Sequence, residues 1–549
     1  MSRKKKKNSV LVQGAILAAA SILCRVIGLL YRSPLREIIG DEGNGYYSVA
    51  YNIYTIILLI ASFSIPLAVS KAISARLAKG EYRNAQRIFY GALIYAVVVG
   101  LAGFAVCFLG APYLVTPGAV PALRVLAPTI FFSGILGVLR GYFQGHSTMV
   151  PTSISQIIEQ ILNAVVSVLA AFLMVRTFTN VSTEALKLER ASLGAQGSAL
   201  GTGAGVLIGL LFCVVIYVMY RPRMKRQLRR DKTEFIESYS SIFKILIFTI
   251  TPVIFSTAIY NCSPSINQSI FYWILGNKGM SELDITVMYG IFATQFNVLV
   301  NVPISMASAL SSAIVPDISG NYALGNQEAL KESIESATKL NMMVMIPCAV
   351  GLAVLSDPII HLLFPTATGL GGDLLRVGAI TVAFSGLSTL SNGILQGLGK
   401  MRLPVKHAFI AVVLQAVALF PMLFFTQLNA YALVISLIIF SLTMCVLNAK
   451  AIQKYAGYKQ EYKKTFVKPF VASAFMGIIA WAVYRLAFLV TQYAGGYFGN
   501  AIAVCIAMTA AVVVYLVGIV KTNAVSEEEM RSMPKGHLLI KLCKRMRLL

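Results

Sequence analysis

Apolar runs about 20 residues long recur along almost the whole chain, and this recurrence limits the fold more than any other feature. As a helix, a run of that length crosses the ~30 Å hydrocarbon core of a bilayer. About fourteen such runs can be drawn, near 11–36, 46–70, 88–110, 122–144, 152–176, 198–220, 241–263, 285–310, 338–361, 374–396, 405–427, 430–450, 466–492 and 498–520. They lack the short alternation of an outer-membrane barrel. The expectation is therefore an all-α polytopic membrane protein. Of the 549 residues, 57% are hydrophobic and 13% charged. A soluble domain carries about twice that charged share.

A net charge of +25 could suggest a nucleic-acid partner, but its placement does not. With Arg3 to Lys7 assigned to the cytoplasm and the sides alternating at each crossing, most lysines and arginines fall on the inner side. That is the positive-inside rule, and it predicts a plasma-membrane protein with both termini cytoplasmic and no nucleic-acid partner. The chain then divides into a basic N-terminus (1–10), a first lobe (11–220), a basic linker (221–240), a second lobe (241–450), a second basic loop (451–465), two further helices (466–520) and a basic amphipathic tail (521–549). The outer loops are too short for a catalytic ectodomain. No P-loop occurs, and the eight scattered cysteines and four histidines form no metal motif. Neither an enzyme nor a cofactor is expected; a coupling ion or the membrane potential stays open as the energy source. The first run continues too directly into the chain for a cleaved signal peptide.

The chain repeats itself. Leu123–Gly134, LRVLAPTIFFSG, matches Leu375–Gly386, LRVGAITVAFSG, at eight of twelve positions. The register continues, with Gly141, Gln144 and Gly145 aligned to Gly393, Gln396 and Gly397. SIPLAVSKAIS from Ser64 likewise echoes NVPISMASALS from Asn301. The repeat spans six helices. An even number returns the chain to the same side, so the two copies run parallel, related by an axis along the membrane normal. The last two helices fall outside the repeat. In this register Arg140 aligns with Asn392, a hint that the first copy binds negative charge. Arg124 and Arg376 are also equivalent, and both suit interfacial anchors.

Candidate site residues are the polar groups that the apolar runs cannot easily bury. Arg25 lies deep in the first run, where a charge costs at least ~2.5–3.5 kcal/mol on insertion scales. Arg32 and Arg36 follow at spacings that put the three guanidiniums roughly on one helical face. They could line a central cavity and hold an anionic headgroup; Arg32 and Arg36 also suit snorkelling anchors. Gln156, Glu159, Gln160 and Asn163, then Ser167, form one polar stripe on the fifth run. Glu159 needs a partner there, and Arg25 is a candidate. A buried ion pair that only fixes packing is the alternative. The seventh and eighth runs add Thr249, Thr251, Tyr260, Asn261, Asn267 and Gln268, then Gln295, Asn297 and Asn301, with Pro252, Pro264 and Pro303 expected to interrupt them. Interhelical hydrogen bonding would equally explain these groups.

RVIGLLYRSPLREIIGDEGNGYYSVAYNIY from Arg25 and SIPLAVSKAISARLAKGEYRNAQRIF from Ser64 closely resemble polysaccharide-biosynthesis flippases of Gram-positive bacteria, of the stage V sporulation protein B type and the MurJ-type lipid II flippase type. These belong to the multidrug/oligosaccharidyl-lipid/polysaccharide exporter superfamily. LVNVPISMASALSSAIVPDISGNYALGN from Leu299 and SNGILQGLGKMRLPVK from Ser391 fit the same family. The resemblance implies two six-helix lobes in a V around a central cavity, with the last two helices forming a groove for a lipid tail. It implies transport of an undecaprenyl-pyrophosphate-linked sugar, with lipid II first among the substrates, by a monomer in the bilayer. It places Arg25 and Arg32 at the cavity arginines of the first helix, and where MurJ-type proteins carry an arginine on the eighth helix this chain has Gln295 and Asn297. Another lipid-linked polysaccharide, a MATE-like drug or cation antiporter and a membrane glycan polymerase are the rival readings.

Overall fold

The computed structural model describes residues 19–21, 23–63, 65–176, 183–229, 231, 233 and 235–522, and among these the side chains other than those at 63, 223, 249, 252–261 and 494. The basic N-terminus, the tail beyond 522 and the side chains of Thr249, Tyr260 and Asn261 lie outside that description.

The described residues are helical and form no strand. In chain order they are α1 (Ala19–Leu30), α2 (Arg32–Leu58), α3 (Ile65–Lys79), α4 (Tyr82–Leu114), α5 (Val120–Gly145), α6 (Val150–Val175), α7 (Glu184–Arg229), α8 (Tyr239–Asn277) and α9 (Glu282–Ile291). Then follow α10 (Asn297–Ala323), α11 (Gln327–Val354), α12 (Ser356–Leu363), α13 (Gly369–Gly378), α14 (Ile380–Gly397), α15 (Arg402–Phe425), α16 (Ala430–Ala456), α17 (Lys468–Thr491) and α18 (Gly496–Lys521). Among the described residues eleven helices are long and apolar enough to span a membrane, or twelve if the bent pair α13–α14 is one span. α1 and α8 contribute only the shorter apolar stretches Ala19–Leu30 and Tyr239–Phe248, so the expected fourteen spans are not reached on this measure.

Contacts group the chain into two compact units, residues 1–294 and 295–549. α8 and α9 thus pack with the first half, although the second sequence repeat begins near 241. The reason is visible in the first unit. Ile242, Leu246 and Ile250 of α8 join a core with Ile88, Phe89 and Ala92 of α4. The segment before α8 is clasped to α3 and α4. Arg76 forms an ion pair with Glu237 at 2.7 Å, Arg87 donates to the Glu237 carbonyl at 2.9 Å, and the Arg83 amide donates to Asp231.

The helices do not break at the three prolines expected to interrupt them. α8 and α10 run through Pro252, Pro264 and Pro303, against the sequence expectation. A proline in a membrane helix is tolerated when neighbouring groups re-satisfy the freed carbonyl. The real breaks are the wider turns Leu59–Phe63 and Phe292–Phe296, where one backbone hydrogen bond shifts register, and Gly40 in α2, whose φ of 73° leaves the right-handed region. In the second unit the repeat copy of α5 is split into α13 and α14, bent by 48°. Gly378 stands there where α5 has Leu126, and a Cβ at 378 would collide with the Phe296 ring. The bend seats that backbone against an aromatic face that only glycine admits.

Candidate functional site

In the first unit, α6 lies against α7 through a glycine row. Gly197, Gly201, Gly205 and Gly209 recur every four residues and so share one face of α7. A Cβ at Gly197 would lie 2.5 Å from the Ala171 Cα, at Gly201 2.5 Å from the Ser167 amide nitrogen, and at Gly205 2.6 Å from the Glu159 carbonyl. Such small-residue contacts let membrane helices approach closely. The row therefore fixes the backbone that carries Glu159, Asn163 and Ser167.

The polar stripe of α6 is only in part the one expected. The arginine that Glu159 binds is Arg140 of α5, with Nη2 to Oε2 at 2.6 Å; it is not the Arg25 pairing suggested by sequence. Arg140 also donates through Nε to the Ser155 hydroxyl at 2.9 Å, so its fork is oriented at two points. The side chains of Arg140 and Glu159 retain 14% and 28% exposure, so the pair is neither sealed in the core nor free in solvent. Asn163 accepts from Ser167 at 3.0 Å, and Ser167 reaches the Ser198 carbonyl of α7. Gln156 is half-buried, and its amide oxygen has no hydrogen-bond partner among the described residues.

α1 runs beside this stripe. A Cβ at Gly28 would sit 3.3 Å from Gln160 Nε2, and Cys24 lies within electrostatic reach of Glu159 and Arg140. Arg25, next in sequence, is exposed. Arg32 lies within reach of Tyr47 and Tyr51 and has no carboxylate partner among the described residues. Tyr47, Tyr51 and Tyr54 form an aromatic ladder on α2, with successive ring centroids 5.6 Å apart, and Tyr51 and Tyr54 also sense Glu159. The first unit thus brings Arg140, Cys24, Tyr51 and Tyr54 within reach of Glu159, and Arg32 within reach of Tyr47 and Tyr51.

Arg36 has a different task. It is 5% exposed and grips Asp41 with two parallel bonds, Nε to Oδ1 at 2.8 Å and Nη2 to Oδ2 at 2.7 Å. Asn44 donates to the Gly40 carbonyl at 2.9 Å. Together they pin the kink at Gly40. Beyond it, Tyr46 donates to Glu282 of α9 at 2.7 Å, and Asn52 donates to Gln268 and Tyr289 at 2.7 Å each. Gln268, expected near a site, is here part of a buried strut.

Gln295 and Asn297 belong to the second unit. Gln295 is fully buried, with its amide against Gly371. Asn297 is half-buried, and its carbonyl accepts from Asn301 at 2.8 Å. Of the two proposed anchors, Arg124 stacks over Phe108 at 5.6 Å. Arg376 instead pairs with Asp357 and Asp373.

Residues 10–321 match the family model described as polysaccharide biosynthesis protein. The chain belongs to the polysaccharide biosynthesis protein family. Residues 252–420 also match the MatE family model. Over 541 residues the chain is 28% identical to the lipid II flippase MurJ of Bacillus subtilis (strain 168), covering 93% of this chain and 95% of that protein. It is 22% identical to stage V sporulation protein B of the same organism, covering 97% and 100%. A solved structure of a multidrug resistance MATE family transporter of the MOP superfamily, in an inward-facing conformation, superposes with a TM-score of 0.59 at 15% identity over 82% of this chain and 98% of that one. That likeness speaks for the fold.

Three features were missed from sequence. The glycine row carries a legible signal, the four-residue spacing. The tyrosine ladder does too, at helical spacing. The partners Asp41 and Arg140 do not, because the contacts follow from a left-handed glycine and from helix pairing.

Proposed function

We propose that this chain is a flippase that moves an undecaprenyl-pyrophosphate-linked sugar, the peptidoglycan precursor lipid II, from the inner to the outer leaflet of the plasma membrane by alternating access. The observation that carries the reading is the charge balance of the polar cluster. Arg140 neutralises Glu159 at 2.6 Å, which leaves Arg32, with no carboxylate partner among the described residues and Tyr47 and Tyr51 within reach, as cationic excess. A pyrophosphate suits that excess, since guanidiniums bind phosphate oxygens through paired, charge-assisted bonds. An antiporter of cationic drugs would need a carboxylate available to its cargo, and Glu159 is held by Arg140.

In this reading Arg25 and Arg32 hold the headgroup phosphates. Gln156 and Asn163 offer neutral donors and acceptors to the glycan, and Gln295 and Asn297 are the corresponding candidates of the second unit. Arg36 shapes the kink instead. The polyprenyl tail stays in lipid or along α17 and α18. The carrier works as a monomer with both termini cytoplasmic. It must bind its cargo in both states, so the phosphate contact cannot strongly favour one of them. Complementation of a strain depleted of its lipid II flippase tests this. Wild type should restore growth, and normally expressed Arg25→Ala should not. Failure of correctly inserted wild type would move the cargo to another lipid-linked polysaccharide.

A further inference from the structure

The second unit contains a cavity that the proposed substrate path does not use. It measures about 640 Å³ and lies among α11, α14, α16 and the segment 458–466, within the ~300–1,000 Å³ range of sites that bury a small molecule. Its walls include Leu387, Ile394, Leu442, Val446 and Phe466. Of the polar residues in those walls, Gln453 and Gln460 are amides, while Thr338, Ser391 and Cys445 are spent on backbone. Thr338 donates to the Ile334 carbonyl at 2.7 Å, Ser391 to Leu387 at 2.6 Å, and Cys445 to Phe384 at 3.0 Å. Apart from those two amides and the rim, the walls therefore present hydrocarbon. The chain enters the following segment at Gly457, whose φ of 64° turns residues 458–460 over the cavity.

The rim has the opposite character. Lys450 and Lys459 line it, both exposed, and neither has a carboxylate partner among the described residues. Tyr458 also lines the cavity at 8% exposure, and its hydroxyl has no hydrogen-bond partner among the described residues. Burial, with Glu335 and Glu461 nearby, pushes that phenol up to about 12, so it stays a donor. Glu461 is itself paired with Lys464 at 3.2 Å. The rim thus carries a modest positive excess and one buried donor. That suits a singly charged phosphodiester better than a pyrophosphate. A basic pocket between membrane helices at a basic-loop end is the setting in which anionic lipid headgroups bind.

We infer that this cavity holds an anionic membrane phospholipid, with an acyl chain in the apolar interior and the phosphodiester on Lys450, Lys459 and the Tyr458 hydroxyl. The site is independent of the cargo assigned above.

The test uses the full chain in detergent, with native mass spectrometry of retained lipid after addition of phosphatidylglycerol, phosphatidylethanolamine or undecaprenyl phosphate. Wild type should retain phosphatidylglycerol at least fivefold over phosphatidylethanolamine. Lys450→Gln with Lys459→Gln should abolish that preference while keeping the lipid-free melting temperature. Ala449→Trp, which fills the cavity, should lose both lipids, and Tyr458→Phe should weaken phosphatidylglycerol about twofold to threefold. Equal retention of the two phospholipids, or an unchanged preference in the lysine variant, would overturn the inference. So would displacement of phosphatidylglycerol by equimolar undecaprenyl phosphate, which would make the cavity a seat for the cargo's tail.

Discussion

The corner made by α5, α6 and α7 in the first unit and the corner made by α14, α15 and α16 in the second descend from one repeat, yet they are built from different chemistry. Arg140 on α5 binds Glu159 on α6 through an ion pair. At the equivalent position Asn392 on α14 accepts from Asn448 on α16 at 2.8 Å, and Asn448 in turn meets His407 of α15 at 2.7 Å. One corner carries charge and the other a neutral chain of amides and imidazole. Packing differs in parallel. α6 and α7 meet over a glycine row, whereas α15 and α16 contain no glycine. A repeat sets where helices go, while charge and close approach are assigned copy by copy. This division fits a carrier whose first unit binds an anion.

The largest expected effect tests the glycine row. Gly201→Leu drives a side chain into the α6 backbone at Ser167 and should destabilise the purified protein by about 3 kcal/mol, read as a fall in melting temperature with loss of expression. Ala432→Leu in α16 probes whether the second corner tolerates bulk better, and a drop as large as that of Gly201→Leu would erase the contrast. Next comes the ion pair. Arg140→Leu leaves Glu159 without its counter-ion and should cost about 2–3 kcal/mol, less than a fully buried pair because both groups keep some exposure. Arg140→Leu with Glu159→Leu should recover most of that loss. A double variant as unstable as the single would show that the stranded Glu159 carboxylate is not the source of the loss.

The neutral corner should respond less. Asn448→Leu removes the middle of its chain and should cost about 1 kcal/mol, near the usual worth of interhelical hydrogen bonds in membranes. The smallest effect concerns the clasp before α8. Burial raises the Asp231 carboxyl, but hydrogen bonds from Thr233 and the Arg83 amide outweigh it, so its pKa is net lowered. A depressed carboxyl stabilises the fold above its unfolded pKa of ~3.9 and loses that contribution as pH falls through the folded value. Wild type should therefore lose melting temperature below pH 4 in excess of Asp231→Asn. Parallel curves would remove the clasp from the account.

The helical order was legible in sequence because each span must satisfy its own backbone in lipid, and so was the repeat. The polar stripe of α6 was legible as a stripe, but its partner was not. Arg140 is one span away from Glu159, and only the pairing of α5 with α6 brings the two together. Arg36 read as the last of three arginines aligned on a helix ending near residue 36, whereas α2 runs on from Arg32 to Leu58. Gly40 breaks that helix and hands Arg36 to Asp41. The segment GDEGN from Gly40 held the signal, a glycine followed at once by a carboxylate and four residues on by an asparagine, yet its sense depends on the backbone angle at Gly40. The cavity of the second unit left no trace in sequence, since its walls come from four separate segments.

The most direct test of the account is translocation of fluorescent lipid II by the purified chain in proteoliposomes, comparing wild type, Arg25→Ala with Arg32→Ala, and Asn392→Ala. The account predicts translocation by wild type and by Asn392→Ala, and at least a tenfold slower rate for the arginine variant at equal reconstitution. An arginine variant as fast as wild type would contradict the claim that the cationic excess of the first unit holds the cargo.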